Sequence, residues 1–156
     1  MSRLITGTLM ALSLALIGAI PAGAASTTVE GTGSYEKLVV KNGNQNLVFN
    51  LHAPGGKCDI KYLSVKFRDR DGTRYEMNGG CYPGAVWAAS LVRGETLVEC
   101  PTFTLKYNRT AGVWTGSIPR TCLRRLDAAV KVTGSYVDDY SPNVNEVPAT
   151  RYVAQG

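Results

Sequence analysis

The chain offers few side chains that could carry catalysis, and only one of them is an imidazole. His52 is the single histidine among 156 residues, so any histidine-based triad must use it. Ser64 or Ser90 would then be the nucleophile and Asp59 the acid. No G-x-S-x-G elbow is present to place a serine beside the histidine. We therefore expect an exposed strand histidine in a protein without enzymatic activity, and a small hydrolase that uses His52 is the least favoured alternative.

The sequence also lacks a clear motif for a metal site or for a pair of catalytic carboxylates. One histidine and four cysteines spaced by roughly 20 residues do not match the ligand spacing of structural zinc sites. The run 69–72 resembles the start of a calcium loop, but the later ligands are missing. Glu76, Glu95 and Glu99 lie on or beside predicted strands, without the apolar setting that one acid of a glycosidase pair needs. We expect no metal and no cofactor.

Aromatic and basic side chains point to binding instead. Trp87 is the best candidate for stacking on a sugar ring, because its neighbours in the run 84–88 are small, and core packing of this ring is the alternative. Arg120 and Arg124 belong to the one tight basic cluster, 120–125. A third position, Tyr82, lies in a glycine-rich loop beside Cys81. We predict Trp87, Tyr82, Arg120 and Arg124 as ligand-binding residues.

The charge of the chain is mildly positive. The net charge of +5 could favour anionic polymers or cell-wall phosphates. However, most basic residues alternate with apolar ones or lie in turns, as solvent-facing strand positions do. This pattern indicates ordinary solvation of a β-surface, and we expect no nucleic-acid partner.

Strands must position these side chains, since helical periodicity is nearly absent after residue 25. Runs of Val, Leu, Tyr, Phe and Thr recur about every ten residues between Gly, Asn, Asp and Pro, which is typical of a β-sandwich or barrel. We predict an all-β, single-domain antiparallel β-sandwich, jelly-roll-like, with two hairpin disulfides. The predicted strands are 35–41, 45–53, 59–68, 73–78, 85–92, 96–99, 102–107, 113–118 and 128–137.

The four cysteines allow three disulfide pairings. A hairpin register that pairs Phe67 with Thr73 brings Cys58 within about one residue of Cys81, and the residual slip falls at glycines that tolerate a bulge. A second hairpin, which pairs Tyr107 with Trp114, brings Cys100 close to Cys122, with the slip at a proline. We expect the disulfides Cys58–Cys81 and Cys100–Cys122, and crossed pairings are the alternative.

The N-terminus has the features of a signal peptide. Arg3 precedes an apolar run over residues 9–20, and Ala22 and Ala24 fit the A-x-A cleavage rule. About 12 apolar residues are too few to span a bilayer. We therefore expect a signal peptide over 1–25, a secreted domain over 26–137 and a polar C-terminal tail over 138–156, packed down or frayed. The mature chain is expected to be a monomer without a membrane span.

The segment from Cys100 to Val132, CPTFTLKYNRTAGVWTGSIPRTCLRRLDAAVKV, resembles a group of small secreted actinobacterial domains that end in an IPRxCL hairpin and a strand. The upstream runs DIKYLSVKFRDRDGTRYEM and YPGAVWAASL resemble the same group, so the similarity covers about residues 57–133. It implies a β-sandwich with no assigned activity and no active site to transfer. Arg124 follows the motif's Leu123 here, where many relatives have glycine.

These features predict a secreted, non-enzymatic binding module of the cell envelope or medium, whose ligand is a polysaccharide or another protein. The alternative is a secreted inhibitor of a hydrolase, such as a protease. In that case the loop 81–84 or the corner at Arg120 would present a rigid, substrate-like segment, because rigid presentation lowers the entropy cost of binding.

Overall fold

The computed structural model describes residues 25–31, 37–52, 60–82, 85–138 and 144–156. Within these ranges the chain forms two antiparallel sheets that share one core, and the prediction of an all-β antiparallel sandwich is confirmed. The strands in chain order are β1 Ala25–Glu30, β2 Lys37–Asn42, β3 Asn46–His52, β4 Ile60–Arg68, β5 Arg74–Tyr82, β6 Ala85–Arg93, β7 Thr96–Leu97, β8 Thr104–Asn108, β9 Val113–Pro119, β10 Lys131–Asp138 and β11 Asn145–Val147.

The strand order is not that of a jelly roll, so this part of the prediction is wrong. The five-stranded sheet has the order β1-β2-β3-β9-β8, and the six-stranded sheet has the order β11-β10-β4-β5-β6-β7. Runs of consecutive strands are therefore sheet neighbours, whereas in a jelly roll they alternate between the two sheets. Alternation of apolar residues reveals which face of a strand is buried, but it carries no information about which strand lies next to it.

The core lies between the two sheets and follows the period-two alternation of the strands. Leu47, Phe49 and Leu51 of β3 are fully buried, as predicted. They meet the inward residues of β4, and the rings of Phe49 and Phe67 have centroids 6.1 Å apart. Because one face of each strand is buried, the residues between these positions point outward from the sandwich.

The turn between β4 and β5 is a polar hairpin turn that a buried aspartate holds in place. The carboxylate of Asp69 is buried and accepts hydrogen bonds from the backbone N–H of Thr73, at 2.7 Å, and of Asp127, at 3.2 Å. Gly72 has a φ of 88°, which a residue with a side chain rarely adopts. The loop holds five residues between Arg68 and Arg74, so Phe67 pairs with Tyr75 instead of the predicted Thr73.

One of the two predicted disulfides is confirmed. Cys100 and Cys122 are bonded, with their Cα atoms 5.6 Å apart. The predicted pairing of Tyr107 with Trp114 in the β8–β9 hairpin is also confirmed. Cys58 lies outside the described residues, so the pairing Cys58–Cys81 stays a prediction.

The C-terminal segment packs against β10. β11 pairs with β10, and the side chains of Val147 and Val153 are buried. Thr150 is held to Val132 by two hydrogen bonds, one through its backbone N–H and one through its hydroxyl. The segment that the sequence presents as a polar tail therefore contributes apolar side chains to the core.

The predicted signal peptide covers residues 1–25. Residues 1–24 lie outside the described residues, and Ala25 is the first residue of β1. Cleavage of the signal peptide stays a prediction. Among the described residues, no helix has the length and apolar character that crossing a membrane requires.

Candidate functional site

The outer face of the six-stranded sheet carries an open groove of about 510 Å³. The strands β10, β4 and β5 form its floor, and their outward side chains are polar or charged. The side chains that matter for its chemistry are Lys66, Arg68, Arg74, Glu76, Lys131 and Thr133. We call this cavity the outer groove.

Three cations lie side by side across the floor of the outer groove. Lys131 of β10 pairs in register with Arg68 of β4, and Arg68 pairs with Arg74 of β5. Each of the three alternates with a buried neighbour in its strand, so all three belong to the outward face. We call Lys131, Arg68 and Arg74 the cation row. Lys66 lies two residues before Arg68 on the same face of β4 and adds a fourth positive charge.

A second group of polar side chains continues the same face towards the other end of the strands. The buried hydroxyl of Ser64 donates a 2.6 Å hydrogen bond to Oε1 of Glu76. The hydroxyl of Tyr62 donates a 2.7 Å hydrogen bond to Oδ1 of Asn78. These two bonds link β4 to β5 and fix the directions in which the polar groups point.

Tyr62 of β4 places an aromatic side chain on this face of the sheet. It is 41% exposed, so part of its side chain is accessible to a ligand. Partial burial, and secondarily the negative charge of Glu76, raise the pKa of its phenol above the ordinary value of 10.0. The hydroxyl therefore stays a neutral hydrogen-bond donor throughout the physiological range.

The cations of the outer groove have no protein partner among the described residues. Across the described ranges, no ion pair or hydrogen bond engages the side chain of Lys66, Arg68, Arg74 or Lys131. The one carboxylate that lines the groove, Glu76, accepts its hydrogen bond from a serine instead. The groove is therefore positively charged and open to a negatively charged group.

The two predicted aromatic ligand-binding residues belong to the same sheet. Trp87 of β6 pairs with Gly80 of β5, and Tyr82 pairs with Ala85 across the end of that hairpin. Their side chains lie outside the described part of the structure, so their roles in binding stay predictions.

Arg120 lies away from the outer groove, at a corner of the five-stranded sheet. It begins a short 3-10 turn, Arg120–Cys122, and its backbone N–H bonds to the carbonyl of Gln45 at 2.8 Å. Its guanidinium donates to Oδ1 of the buried Asn42 and, at 3.4 Å, to the carbonyl of Gly43. Desolvation lowers the pKa of Arg120, and Asp127 partly opposes that shift. These contacts give Arg120 a role in the fold.

Arg124 lies in a different place from Arg120. Its Nε donates a 3.0 Å hydrogen bond to the carbonyl of Thr121. It lines a second cavity of about 380 Å³ beside the Cys100–Cys122 disulfide, together with Arg93 and the exposed Leu97. The 3-10 turn directs the two arginines to separate surroundings, which proximity in sequence did not reveal.

The structure does not bring His52 together with Ser64 or Ser90, and Asp59 lies outside the described residues. His52 ends β3 in the five-stranded sheet, where it pairs with Lys37 and Val113. Ser64 and Ser90 are on the outward face of the six-stranded sheet, so the core separates them from His52. Burial, and secondarily the positive charge of Lys37, lower the pKa of His52 below its ordinary value of 6.5.

The part of the chain that the structure describes holds no cluster of three or more histidine, cysteine, aspartate or glutamate side chains that could bind a metal ion. Comparison with models of protein families, with curated proteins and with solved structures found no match. The resemblance to secreted actinobacterial domains therefore stays a prediction, and the outer groove is the basis for a functional proposal.

No pattern in the sequence pointed to the outer groove. Lys66, Arg68 and Arg74 are at outward positions of predicted strands, so the alternation of apolar residues places them on one face of the sheet. The missing fact was the pairing of β10 with β4, which brings Lys131 beside Arg68 from 63 positions further along the chain.

Proposed function

We propose that this protein is a non-enzymatic binding module that holds a polysaccharide in the outer groove. The groove runs over three adjacent strands and is open to solvent, as the binding of an extended polymer requires. Hydroxyl and charged groups line it, and the hydroxyl of Tyr62 and the amide of Asn78 continue the same face beyond it; these are the groups that hydrogen-bond to sugar hydroxyls. The observation that carries the proposal is this continuous polar face of β10, β4 and β5 beside an exposed tyrosine.

The location of the groove on strands supports a binding function. Adjacent strands are spaced by about 4.8 Å, so neighbouring strands present polar side chains at regular intervals across the groove. A polymer with a regular repeat can use such a series of contacts. Strand side chains held by hydrogen bonds, such as Ser64 on Glu76 and Tyr62 on Asn78, also lose little entropy on binding.

A location outside the cytosol fits the same proposal. The Cys100–Cys122 disulfide is typical of proteins that fold in an oxidising compartment. The predicted signal peptide would bring the chain there. A secreted module with this groove would meet the polysaccharides of the cell envelope or of the medium.

The inhibitor alternative gains no comparable support. It depends on a rigid arginine presented to an enzyme, and the guanidinium of Arg120 is engaged by Asn42 and Gly43. The other proposed loop includes Pro83 and Gly84, which lie outside the described residues. We therefore carry the polysaccharide-binding proposal forward alone.

An array of neutral and charged glycans tests the proposal directly. The wild-type protein is expected to be retained by at least one class of extended glycan. A Tyr62→Ala, Asn78→Ala double variant should bind that glycan at least about tenfold more weakly. Thr115→Ala is the matched control, since Thr115 is on the outward face of the other sheet, where its hydroxyl bonds to Asn50. Failure of every glycan to retain the folded wild-type protein contradicts the proposed function.

A further inference from the structure

We infer that the ligand of the outer groove is an anionic glycan, whose carboxylate, sulfate or phosphate groups bind the cation row of Lys131, Arg68 and Arg74. This inference rests on the proposed function and names the class of glycan. It goes beyond that function because the polar face alone would suit a neutral polysaccharide equally well.

The first argument is the register of the cation row. Residues directly opposite each other on neighbouring strands have Cβ atoms about 5 Å apart, and like charges at such positions destabilise a sheet. Here two such contacts follow one another, Lys131 opposite Arg68 and Arg68 opposite Arg74. A bound anion removes this repulsion, so the row is unfavourable in the free protein and favourable in the complex.

The other sheet shows a different arrangement of charge. On its outward face, Lys37 of β2 is directly opposite Glu30 of β1, which is a favourable pairing. Among the described residues that line the outer groove, the only acidic one is Glu76, which lies directly opposite Lys66, whereas each residue of the cation row has another cation opposite it. Three positive charges therefore remain in excess among the residues that line the outer groove.

The side-chain types also fit an anionic glycan. Arginine binds carboxylate and phosphate groups through two parallel hydrogen bonds, and the groove offers two arginines on adjacent strands. The hydroxyl of Thr133 lies beside them in the groove, where it can bond to sugar hydroxyls between the charged groups. A glycan that carries charges along its length can engage the cation row and these polar groups together.

A pair of matched ligands tests the inference. Oligogalacturonate and its methyl ester have the same sugar backbone, and only the acid is charged. In calorimetric titrations the acid should bind at least about tenfold more tightly than the ester. Its affinity should also fall as NaCl rises from about 50 to about 500 mM, because salt screens exposed charges. Heparin and a glycerol phosphate polymer serve as the sulfate and phosphate probes.

Variants locate the effect in the cation row. Arg68→Gln and Arg74→Gln should each weaken binding of the preferred anionic probe by roughly tenfold. Both should raise the Tm of the free protein at low salt, which loss of a merely structural arginine would not do. Glu76→Gln should strengthen binding, because it removes the opposing charge. The control Lys41→Gln, an exposed lysine of the other sheet, should leave the affinity unchanged.

Two different failures can be told apart. If neutral and anionic glycans bind equally and without salt dependence, the inference is overturned and the proposed function stands. If no glycan of either kind is bound, the proposed function fails as well. Tighter binding of a double-stranded DNA oligonucleotide than of every anionic glycan overturns the assignment of the ligand to a glycan.

Discussion

Arg120 donates a guanidinium hydrogen bond to the side-chain oxygen of Asn42, although 78 positions separate the two residues. Asn42 is completely buried, and its amide nitrogen donates to the carbonyls of Ala128, at 2.9 Å, and Val153, at 2.7 Å. Its backbone carbonyl accepts a hydrogen bond from Gly156 at 3.1 Å. One asparagine thus joins the β2–β3 turn, the corner after β9 and the C-terminal segment.

Asn42→Ala should be one of the most destabilising substitutions in the chain. It removes three side-chain hydrogen bonds at once, those to the carbonyls of Ala128 and Val153 and the one from Arg120, and at about 1 kcal/mol each we expect the free energy of unfolding to fall by about 3 kcal/mol. Chemical denaturation measures this change. Asn44→Ala is the control, because the exposed Asn44 makes only a surface bond to Gln155 and should matter little.

The companion variant Arg120→Ala separates structure from binding. It should lower stability and leave the affinity of the folded protein for its glycan unchanged, since Arg120 does not line the outer groove. Loss of binding at unchanged stability would restore Arg120 to the ligand-binding role that the sequence suggested.

Gly116→Ala tests the packing between the sheets. A Cβ atom at Gly116 would collide with the ring of Phe49 and the terminal methyl of Met77. Overpacking of this kind costs about 2 kcal/mol, which a thermal or chemical unfolding curve can measure. The double variant Gly116→Ala, Phe49→Leu should lose less unfolding free energy than the two single variants lose in sum. Ser117→Ala, on the outward face of the same strand, should change the unfolding curve only slightly.

The Cys100–Cys122 disulfide should stabilise the fold through the unfolded chain. It closes a loop of 22 positions, and the chain-entropy model gives about 3 kcal/mol for a loop of that size. The double variant Cys100→Ala, Cys122→Ala should unfold at correspondingly lower denaturant. Peptide mapping of unreduced protein should recover the two cysteines joined, and recovery of Cys58 joined to Cys100 would contradict the assigned bridge.

The single histidine allows a clean pH measurement in tag-free protein. NMR titration of His52 should give a midpoint below 6.5, because burial and Lys37 disfavour the protonated ring. The stability that depends on the neutral ring is then fully present above pH 6.5 and is lost as the pH falls through the lowered pKa. Lys37→Gln should raise the midpoint only in part, since desolvation is the larger cause. A midpoint at or above 6.5 in the wild type would disprove this environment.

Much of the fold follows from local patterns in the sequence. The alternation in β3 and β4 predicts which residues are buried, and the glycine and aspartate of the β4–β5 turn predict a hairpin. The predicted register of that hairpin is wrong by two residues, because the turn is longer than expected and holds five residues. Alternation could not reveal this error, since a shift of two residues leaves the same side chains facing inward. The sequence left open whether the C-terminal segment packs down, because the segment is held by two isolated apolar side chains, Val147 and Val153, and by hydrogen bonds of Thr150, which form no recognisable pattern.

The functional surface was much harder to predict. Arg120 and Arg124 formed the only obvious basic cluster, yet a short 3-10 turn separates them. The cation row is built from β10, β4 and β5, and only the non-local pairing of β10 with β4 assembles it. No local pattern around Lys131 indicates that Arg68 is its neighbour.

The most direct test of a glycan site in the outer groove is an NMR titration of isotope-labelled protein with the glycan that binds best on the array. We expect amide shifts confined to β10, β4 and β5, centred on Arg68, with His52 unchanged. Shifts centred on β2, β3 and β9 around His52, or on the Arg124 cavity, would contradict the account.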